Sequence, residues 1–338
     1  MVRGAIIGLG NVALDGHLPG WAVTPGVEIV AVTDVERARR AEAAGGLPGA
    51  HWFDSADELL RHATVDFVDI CTPPSSHAPL IEQALRRGVH VLCEKPLVRS
   101  LDELAAVSRL AATRLRVLHT VHNWHHAPIV RRTAELVGEG AVGRVTGVTW
   151  HTLRSRPAAT RDGQETNWRV EPSIAGGGIL TDHGWHVFYV LQRWIGARPV
   201  AVSARLENRR HTTLAVEDTA TVALTFPEAT AEIMLTWAAG ERRNWAEVRG
   251  TEGTLELHDD TLFLARGAAT ERWSCPPALS NGSTHPDWFA PVAAQFVAAI
   301  ADGDSHANLG EASLCVALES LARESSRRDG ETLKVEPV

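Results

Sequence analysis

The chain has 338 residues, of which 44% are hydrophobic and 22% are charged, a composition typical of a globular protein with two domains. Its 33 basic and 41 acidic residues give a formal net charge of -8, which excludes the strongly basic surface that nucleic acid binding requires. Because the sequence has no run of eighteen apolar residues and no secretory signal at its start, we expect a cytoplasmic protein without a membrane partner.

Short apolar runs alternate with helical patterns over the first 121 residues. The apolar runs predict strands at 5–9, 28–34, 66–72, 90–95 and 116–121. The helical patterns predict helices at 11–24, 35–44, 55–62, 76–87 and 101–113. Such alternation predicts a parallel sheet with right-handed crossovers.

The pattern changes near 121–123, which we take as a domain boundary. The next elements are a helix at 127–137, a strand at 144–154, a loop to 169 and a long helix from the glycines at 176–178 to 195. Strands are then predicted at 200–207, 217–226, 229–237, 245–259 and 261–266, and helices at 288–302 and 308–327. Several of these strands alternate with period two, which predicts an antiparallel sheet with one face against helices.

A glycine-rich turn follows the first predicted strand, with the sequence Gly8-Leu9-Gly10-Asn11-Val12-Ala13. The first glycine permits the tight turn, the second lets the backbone approach a pyrophosphate, and the small third residue lets helix and strand pack closely. Asp34 ends the second strand, where a carboxylate accepts hydrogen bonds from a ribose and repels a 2′-phosphate. We therefore expect NAD as the cofactor, with NADP as the alternative if an arginine among 37, 39 and 40 reaches the phosphate.

Two further segments lie at the carboxyl ends of predicted parallel strands, the edge at which such sheets bind ligands. The first contains Thr72, Pro73, Pro74 and His77, and the second contains Glu94 and Lys95. We expect these six residues to border the cofactor. Lys95 is one of only two lysines in the chain, and an ammonium group can give up a proton where arginine cannot.

Four motifs together resemble the glucose-fructose oxidoreductase, inositol dehydrogenase and MocA (Gfo/Idh/MocA) family. They are GLGNVA at 8–13, TPPSSH at 72–77, EKP at 94–96 and a D-x-G-x-H pattern at 182–186. The resemblance covers nearly the whole chain. It implies an α/β fold: an N-terminal Rossmann parallel sheet over 1–121, and an α/β domain with a large open, mostly antiparallel sheet over 122–338.

The same resemblance implies NAD(P)-linked oxidation or reduction of a sugar, a cyclitol or a related polyol. It assigns Lys95, Asp182 and His186 to the catalytic group, and it implies a homo-oligomer, a dimer or a tetramer, formed through the open sheet. The residue chemistry agrees, because Asp182 and His186 share a helix face and an imidazole titrates near neutral pH, as a general base must. Lys95 would hydrogen-bond the reacting oxygen, and Asp182 would orient the lysine or a neighbouring hydroxyl.

Polar and aromatic side chains near these motifs are candidates for substrate binding: Asn123, His125, Trp168, Arg169 and His183. Trp124 or Trp168 would stack on a sugar face. A metal site is an alternative, since His122 and His125, or His183 and His186 with Asp182, have ligand-like spacing. Hydride transfer needs no metal, and we expect none.

Arginines 154, 156, 161 and 169 fall in or beside the loop before the long helix, where we expect solvated charges, with an acidic substrate as the alternative. The four cysteines lack CxxC spacing, which predicts buried, reduced thiols. Tyr189 is the single tyrosine and Arg193 follows four residues later, so the Tyr-x-x-x-Lys pair of short-chain dehydrogenases is absent.

Two other functions are consistent with the resemblance. One is a glycoside-cleaving enzyme that retains NAD and eliminates a substituent after transient oxidation. The other is a sensor that binds dinucleotide and sugar without catalysis. Lys95, Asp182 and His186 are all present, which favours catalysis over sensing.

Overall fold

The computed structural model describes residues 1–47, 49–161, 167–282, 284–304 and 308–336. These residues form two compact units. The first contains the described residues of 1–123, 159–168 and 283–313, and the second contains those of 124–158, 169–282 and 314–338. Two segments that the sequence assigns to the C-terminal domain, 159–168 and 283–313, therefore pack with the N-terminal one.

The first unit contains a sheet of six strands, all parallel. The strands are β1 Val2–Ile7, β2 Val27–Thr33, β3 His51–Phe53, β4 Phe67–Ile70, β5 His90–Cys93 and β6 Leu118–Thr120. Their order is β3-β2-β1-β4-β5-β6, the doubly wound order whose switch point lies between β1 and β4. A ligand is thus expected at the carboxyl ends of these two strands.

Helices connect these strands, and a later helix completes the core of the unit. They are a π-helical turn Ala13–His17 continued by Leu18–Ala22, then Arg39–Gly46, Ala56–His62, a 3-10 turn Pro74–Ser76, His77–Arg86, Leu101–Arg114 and Pro286–Asp302. The last of them contributes Phe289 and Phe296, which pack against Trp21 and Phe67 at ring distances of 5.3–5.4 Å.

The second unit contains a mixed sheet of nine strands, in which only β7 and β10 are parallel neighbours. The strands are β7 Val145–Leu153, β8 Ala201–Glu207, β9 Thr219–Thr225, β10 Thr230–Thr236, β11 Arg243–Gly250, β12 Thr254–His258, β13 Thr261–Arg266, β14 Ala269–Ser274 and β15 Leu333–Lys334. Their order is β14-β13-β12-β11-β7-β10-β9-β8-β15. The fold class predicted from the sequence is confirmed.

The remaining helical segments are short turns at Asn123–His126 and Trp168–Val170, a π-helical turn Leu180–Gly184, and the helices Pro128–Gly138, Pro172–Ala175, Trp185–Ile195 and Leu309–Arg327. One sheet face buries Trp150, Ala246, Leu257 and Leu262. Because successive side chains of a strand point to opposite faces of the sheet, the residues between them lie on the other face.

Several element predictions need correction. The single strand predicted at 245–259 is two strands, β11 and β12, because Gly250 donates its N–H to Gly253 at 2.9 Å and closes a turn. The three-residue β3, the strand β14 and the two-residue β15 were not predicted. The long helix begins at Leu180 rather than at residue 176. Residues 162–166 of the predicted loop lie outside the described residues.

Two general expectations can be compared with the structure. All four cysteines are buried and none forms a disulfide, which confirms the prediction of buried, reduced thiols. Among the described helices, none combines the length and the apolar character needed to cross a lipid bilayer.

Candidate functional site

The glycine turn after β1 is crowded at one glycine and open at the other. Gly8 has φ of +93°, and a Cβ there would lie 2.8 Å from Thr72 Cγ2 and 3.0 Å from the Cys71 carbonyl group. At Gly10, no heavy atom of the described residues, apart from those of the adjoining chain, lies within 4 Å of a Cβ position. This open space precedes the helical turn that begins after Val12, so the turn fits a pyrophosphate group at a helix N-terminus.

Asp34 follows β2 and holds the glycine turn in place. Its Oδ2 accepts the N–H of Leu9 at 2.6 Å, and its Oδ1 accepts the N–H of Glu36 at 2.7 Å. The buried Arg39 has its Nε 3.9 Å from Asp34 Oδ2, whereas Arg37 pairs at the surface with Asp54. The carboxylate at this strand end fits a ribose hydroxyl, as the sequence predicted for NAD.

The segments that follow β4 and β5 are held together by His77. Its side chain is fully buried, with Nδ1 2.8 Å from the Pro96 carbonyl oxygen and Nε2 2.8 Å from that of Thr72. Burial lowers the pKa of His77, and the two carbonyl acceptors oppose that change. Beside it, the N–H of Lys95 donates to Glu94 Oε2 at 2.9 Å. The predicted residues thus meet at the carboxyl edge of the sheet, and His77 is a structural link between them, enclosed away from any ligand.

A π-helical turn in the second unit carries Asp182 and His183 and leads directly into the helix with His186. The sequence predicted one uninterrupted α-helix here, and the wider turn is a departure from that geometry. Asp182 Oδ2 lies 3.6 Å from His183 Nε2. Single π turns within α-helices occur often at functional sites, which supports the assignment of this segment.

His186 is held on two sides by its neighbours in the second unit. Its Nδ1 lies 2.8 Å from the Tyr189 hydroxyl, which also accepts the N–H of Trp124 at 3.0 Å. The imidazole stacks on the Trp124 ring with 4.4 Å between centroids and an angle of 8°. An Nδ1–H donated to the Tyr189 oxygen leaves Nε2 as the nitrogen that accepts a proton. The arrangement suits a general base.

Tyr189 is a site residue that the sequence reasoning missed. It entered that reasoning only to exclude another class of reductase. Its position three residues after His186 on one helix places both side chains on the same face, and this spacing is the signal that could have identified it.

The other predicted substrate residues lie in different places. The His125 ring is 4.6 Å from that of Tyr189, and the His183 ring is 6.1 Å from that of Trp124, so both belong to the group around His186. Trp124 itself is buried between His186 and Trp150. The prediction that it stacks on a sugar is therefore wrong.

Three further candidates lie in short 3-10 turns. Asn123 begins one of them, and the half-buried Trp168 and Arg169 begin the other. Trp168 remains the candidate for stacking on a sugar. His122, part of the metal alternative, has its Nδ1 2.9 Å from a Glu311 oxygen, which gives this histidine an acidic partner.

The glycines before the π-helical turn are fixed by a partly buried ion pair. Glu217 Oε1 accepts the N–H of Gly178 at 3.0 Å and that of Leu180 at 3.3 Å, and it pairs with Arg323 at 3.0 Å. A Cβ at Gly178 would lie 2.0 Å from the Glu217 carbonyl oxygen. Because the carboxylate takes these two N–H groups, the helix begins after the glycines, and Asp182 stands one turn further on.

Arg154 differs from the solvated loop charge that the sequence predicted. It is 2% exposed, and its Nη1 donates to the carbonyl oxygens of Leu153 at 2.7 Å and Arg243 at 3.1 Å. Burial lowers its pKa to about 10. Arg154 therefore ties β7 to β11, while Arg156 and Arg161 are exposed as expected.

Two family models match the chain. A model described as an oxidoreductase family with an NAD-binding Rossmann fold matches residues 2–122, and a GFO/IDH/MocA C-terminal domain model matches residues 130–256. Together they cover well over half of the sequence. They place the glycine turn, Lys95 and the Asp182 segment within the matched regions.

Individual relatives are similar over most of their length. D-apiose dehydrogenase from Paraburkholderia graminis is 28% identical over 99% of this chain and 90% of its own. A dTDP-3,4-didehydro-2,6-dideoxy-alpha-D-glucose 3-reductase from Streptomyces violaceoruber is 29% identical, with coverage of 81% and 80%. The structure of levoglucosan dehydrogenase in complex with NADH superposes with a TM-score of 0.87 at 22% identity, over 100% of both chains.

Proposed function

We propose that this chain, which belongs to the GFO/IDH/MocA family of NAD-binding oxidoreductases, transfers a hydride between nicotinamide and a secondary alcohol of a sugar, cyclitol or related polyol. The observation that carries the proposal is the His186 imidazole, whose Nδ1 is held by Tyr189. Oxidation of an alcohol needs a proton acceptor beside the hydride acceptor. The relatives named above, with their sugar substrates, support the substrate class.

The residues have separate roles in this proposal. NAD supplies the hydride acceptor when it is bound. The residues that would hold it are Gly8, Gly10, Asn11, Val12, Asp34, Thr72, Pro73, Pro74 and Glu94. The Lys95 ammonium group hydrogen-bonds the reacting oxygen, His186 takes its proton, and Asp182 orients a neighbouring hydroxyl. Substrate hydroxyls are bound by Asn123, His125, Arg169 and His183, and Trp168 stacks on a sugar face.

A panel of polyols with NAD tests the proposal. We expect the absorbance band of reduced nicotinamide to grow with at least one aldose, anhydrosugar, inositol or sugar acid, because a held general base and a bound dinucleotide suffice for alcohol oxidation. The ketones that correspond to these polyols, supplied with NADH, test the reverse direction. Release of an aglycone without NADH accumulation would instead identify the elimination mechanism, and binding of NAD and sugar without any turnover would identify a sensor.

We also propose that the chain assembles as a homo-oligomer through the open face of the nine-stranded sheet. An outer strip of half-exposed and exposed side chains crosses five neighbouring strands there: His151, Trp245, His258, Phe263 and Arg272. The rings of the first two are 5.0 Å apart, and Arg272 lies 5.9 Å from the Phe263 ring. Aromatic and arginine side chains of this kind are enriched at the centre of protein interfaces.

The substitution Trp245→Arg tests the assembly. A charged side chain within the outer strip leaves an unpaired charge buried in a symmetric interface, twice per dimer. We expect the molar mass measured by light scattering to fall toward that of a single chain. Val23→Arg is a matched control at an exposed apolar residue of the first unit, and an unchanged mass for Trp245→Arg would contradict the proposal.

A further inference from the structure

A charged cluster lies buried in the first unit, between the π-helical turn and the ends of β4 and β5. His17 is 1% exposed, Asp69 is 0% exposed and the Cys71 thiol lies beside them. His17 Nδ1 is 2.9 Å from Asp69 Oδ2 and 3.2 Å from Cys71 Sγ, and His17 Nε2 is 3.1 Å from Glu94 Oε1. None of these groups has a role in the hydride transfer proposed above except Glu94, which precedes Lys95.

Both nitrogens of the His17 ring face carboxylate oxygens. A carboxylate accepts hydrogen bonds and cannot donate them, so both nitrogens donate and the ring is an imidazolium. Phe289 stacks on the ring at 3.8 Å and 17°, which fixes its plane. Trp21 Nε1 donates to the same Asp69 oxygen at 2.7 Å, which fixes that carboxylate in turn.

The electrostatics agree with this geometry. Burial, the largest single influence, would lower the pKa of His17, but Asp69 and Cys71 together raise it through charge and hydrogen bonding, and the pKa lies well above the ordinary value. Burial would likewise raise the pKa of Glu94, and the contacts with His17 and Lys95 lower it instead. Burial raises the pKa of the Cys71 thiol, so Cys71 stays neutral. The cluster therefore holds one cation between two anions.

We propose that His17 is a positioning residue for the reaction: it fixes the Glu94 side chain, and Glu94 fixes the main chain of Lys95. Glu94 Oε1 is held by His17, and its Oε2 accepts the Lys95 N–H at 2.9 Å. A rotation of Glu94 would break both contacts together. The consequence for catalysis rests on the proposed function, in which Lys95 hydrogen-bonds the reacting oxygen.

The expected size of the effect follows from the geometry of catalysis. Misplacement of a reacting group by 1 Å costs about 100-fold in rate. Loss of the His17 charge frees Glu94 and lets the Lys95 segment shift by part of that distance, and we expect kcat to fall by roughly 10- to 100-fold. The glycine turn and Asp34 hold NAD through other atoms, so we expect the dissociation constant of NAD to change less than kcat.

The first measurement is hydrogen exchange of the Lys95 amide in the NAD-loaded protein. In His17→Gln, a neutral side chain replaces the imidazolium, and we expect this amide to exchange about ten-fold faster than in the unchanged protein. Phe296→Leu is the matched control, because it opens a cavity in the same core and removes none of the hydrogen bonds of His17, Asp69 and Glu94. Exchange of the Lys95 amide should be equal in Phe296→Leu and in the unchanged protein.

The second measurement is a double-mutant cycle in kcat, with the polyol that the panel identifies. If His17 acts through Glu94, the double variant His17→Gln with Glu94→Gln is no slower than Glu94→Gln alone. A merely structural role for His17 predicts additive losses instead. It also predicts that Phe296→Leu, at equal thermal stability, lowers kcat as much as His17→Gln.

Three results would overturn the inference. They are a Lys95 amide that stays protected in His17→Gln, additive losses in the cycle, and a stoichiometric transition metal that His17→Gln removes. The last would show that His17, Asp69 and Cys71 are metal ligands, for which their atoms lie close enough. Because the exchange measurement needs no substrate, a panel without turnover would count against the proposed function and leave this inference to be decided separately.

Discussion

Replacing Lys95 by methionine, or His186 by glutamine, is expected to lower kcat by about 10²- to 10⁴-fold, the usual contribution of a positioned acid or base. Methionine keeps most of the length of the lysine side chain without its charge, and glutamine keeps a polar group beside Tyr189 without a titrating ring. Neither side chain forms the glycine turn, so fluorescence titration with NADH should give a dissociation constant close to that of the unchanged protein.

Tyr189→Phe separates the role of the base from that of its support. It removes the hydroxyl 2.8 Å from His186 Nδ1 but retains the ring. Since the imidazole keeps its stacking on Trp124, we expect a loss of only about 10-fold, within the range of a lost hydrogen bond. His62→Gln, at an exposed histidine of the first unit, is the control. Normal turnover by both Lys95→Met and His186→Gln would contradict the proposed mechanism.

The Rossmann sheet was predictable because its central strands are buried on both faces and form continuous apolar runs. The strands β1, β4 and β5 are of this kind, and their predicted positions agree with the structure to within a few residues. The missed strand β3 has three residues and begins with an exposed histidine. Three residues are too few to show the alternation of apolar and polar side chains by which a strand is recognised. A single predicted strand became β11 and β12 because Gly250 closes a turn with Gly253, at a position where a Cβ would lie 2.1 Å from the distant Val142 carbonyl oxygen.

The candidate site was predictable only as far as its motifs are local. The glycine turn and the ends of β4 and β5 could be inferred, because parallel topology brings strand ends to one edge. The residues that hold them could not, since their partners are remote in sequence. His17 reaches Glu94 across 77 residues, and Glu217 reaches Arg323 across 106.

The burial of Arg154 also could not be predicted, because the partners of this charged side chain on β11 are remote in sequence. Its neighbours in sequence are polar and arginine-rich, which favours a solvated loop. The carbonyl oxygens that accept its hydrogen bonds belong to β7 and β11, and only the pairing of these strands creates the buried acceptor pair. Burial of a charged side chain is thus decided by the tertiary structure.

Removal of the Glu217 side chain is expected to have the largest effect on stability. Glu217→Ala leaves the N–H groups of Gly178 and Leu180 without their acceptor and Arg323 without one of its two anions. Breaking a buried pair by removing one partner costs about 3–5 kcal/mol. Because Arg323 keeps Glu319 and is 24% exposed, the lower end, about 3 kcal/mol, is the expected loss in the free energy of unfolding.

Urea denaturation of Glu217→Ala beside Arg327→Gln tests this. Arg327 lies on the same helix as Arg323 and pairs with Glu324 at the surface, where ion pairs contribute little, so its removal should leave the denaturation midpoint unchanged. Burial would lower the pKa of Arg323, but Glu319 and Glu217 raise it above its ordinary value. Arg323 therefore stays charged at pH 9, and raising the pH to 9 should not reduce the difference between the denaturation midpoints of the two variants. Equal midpoints for the two variants would show that the glycines at 176–178 and the Asp182 segment are held by packing alone.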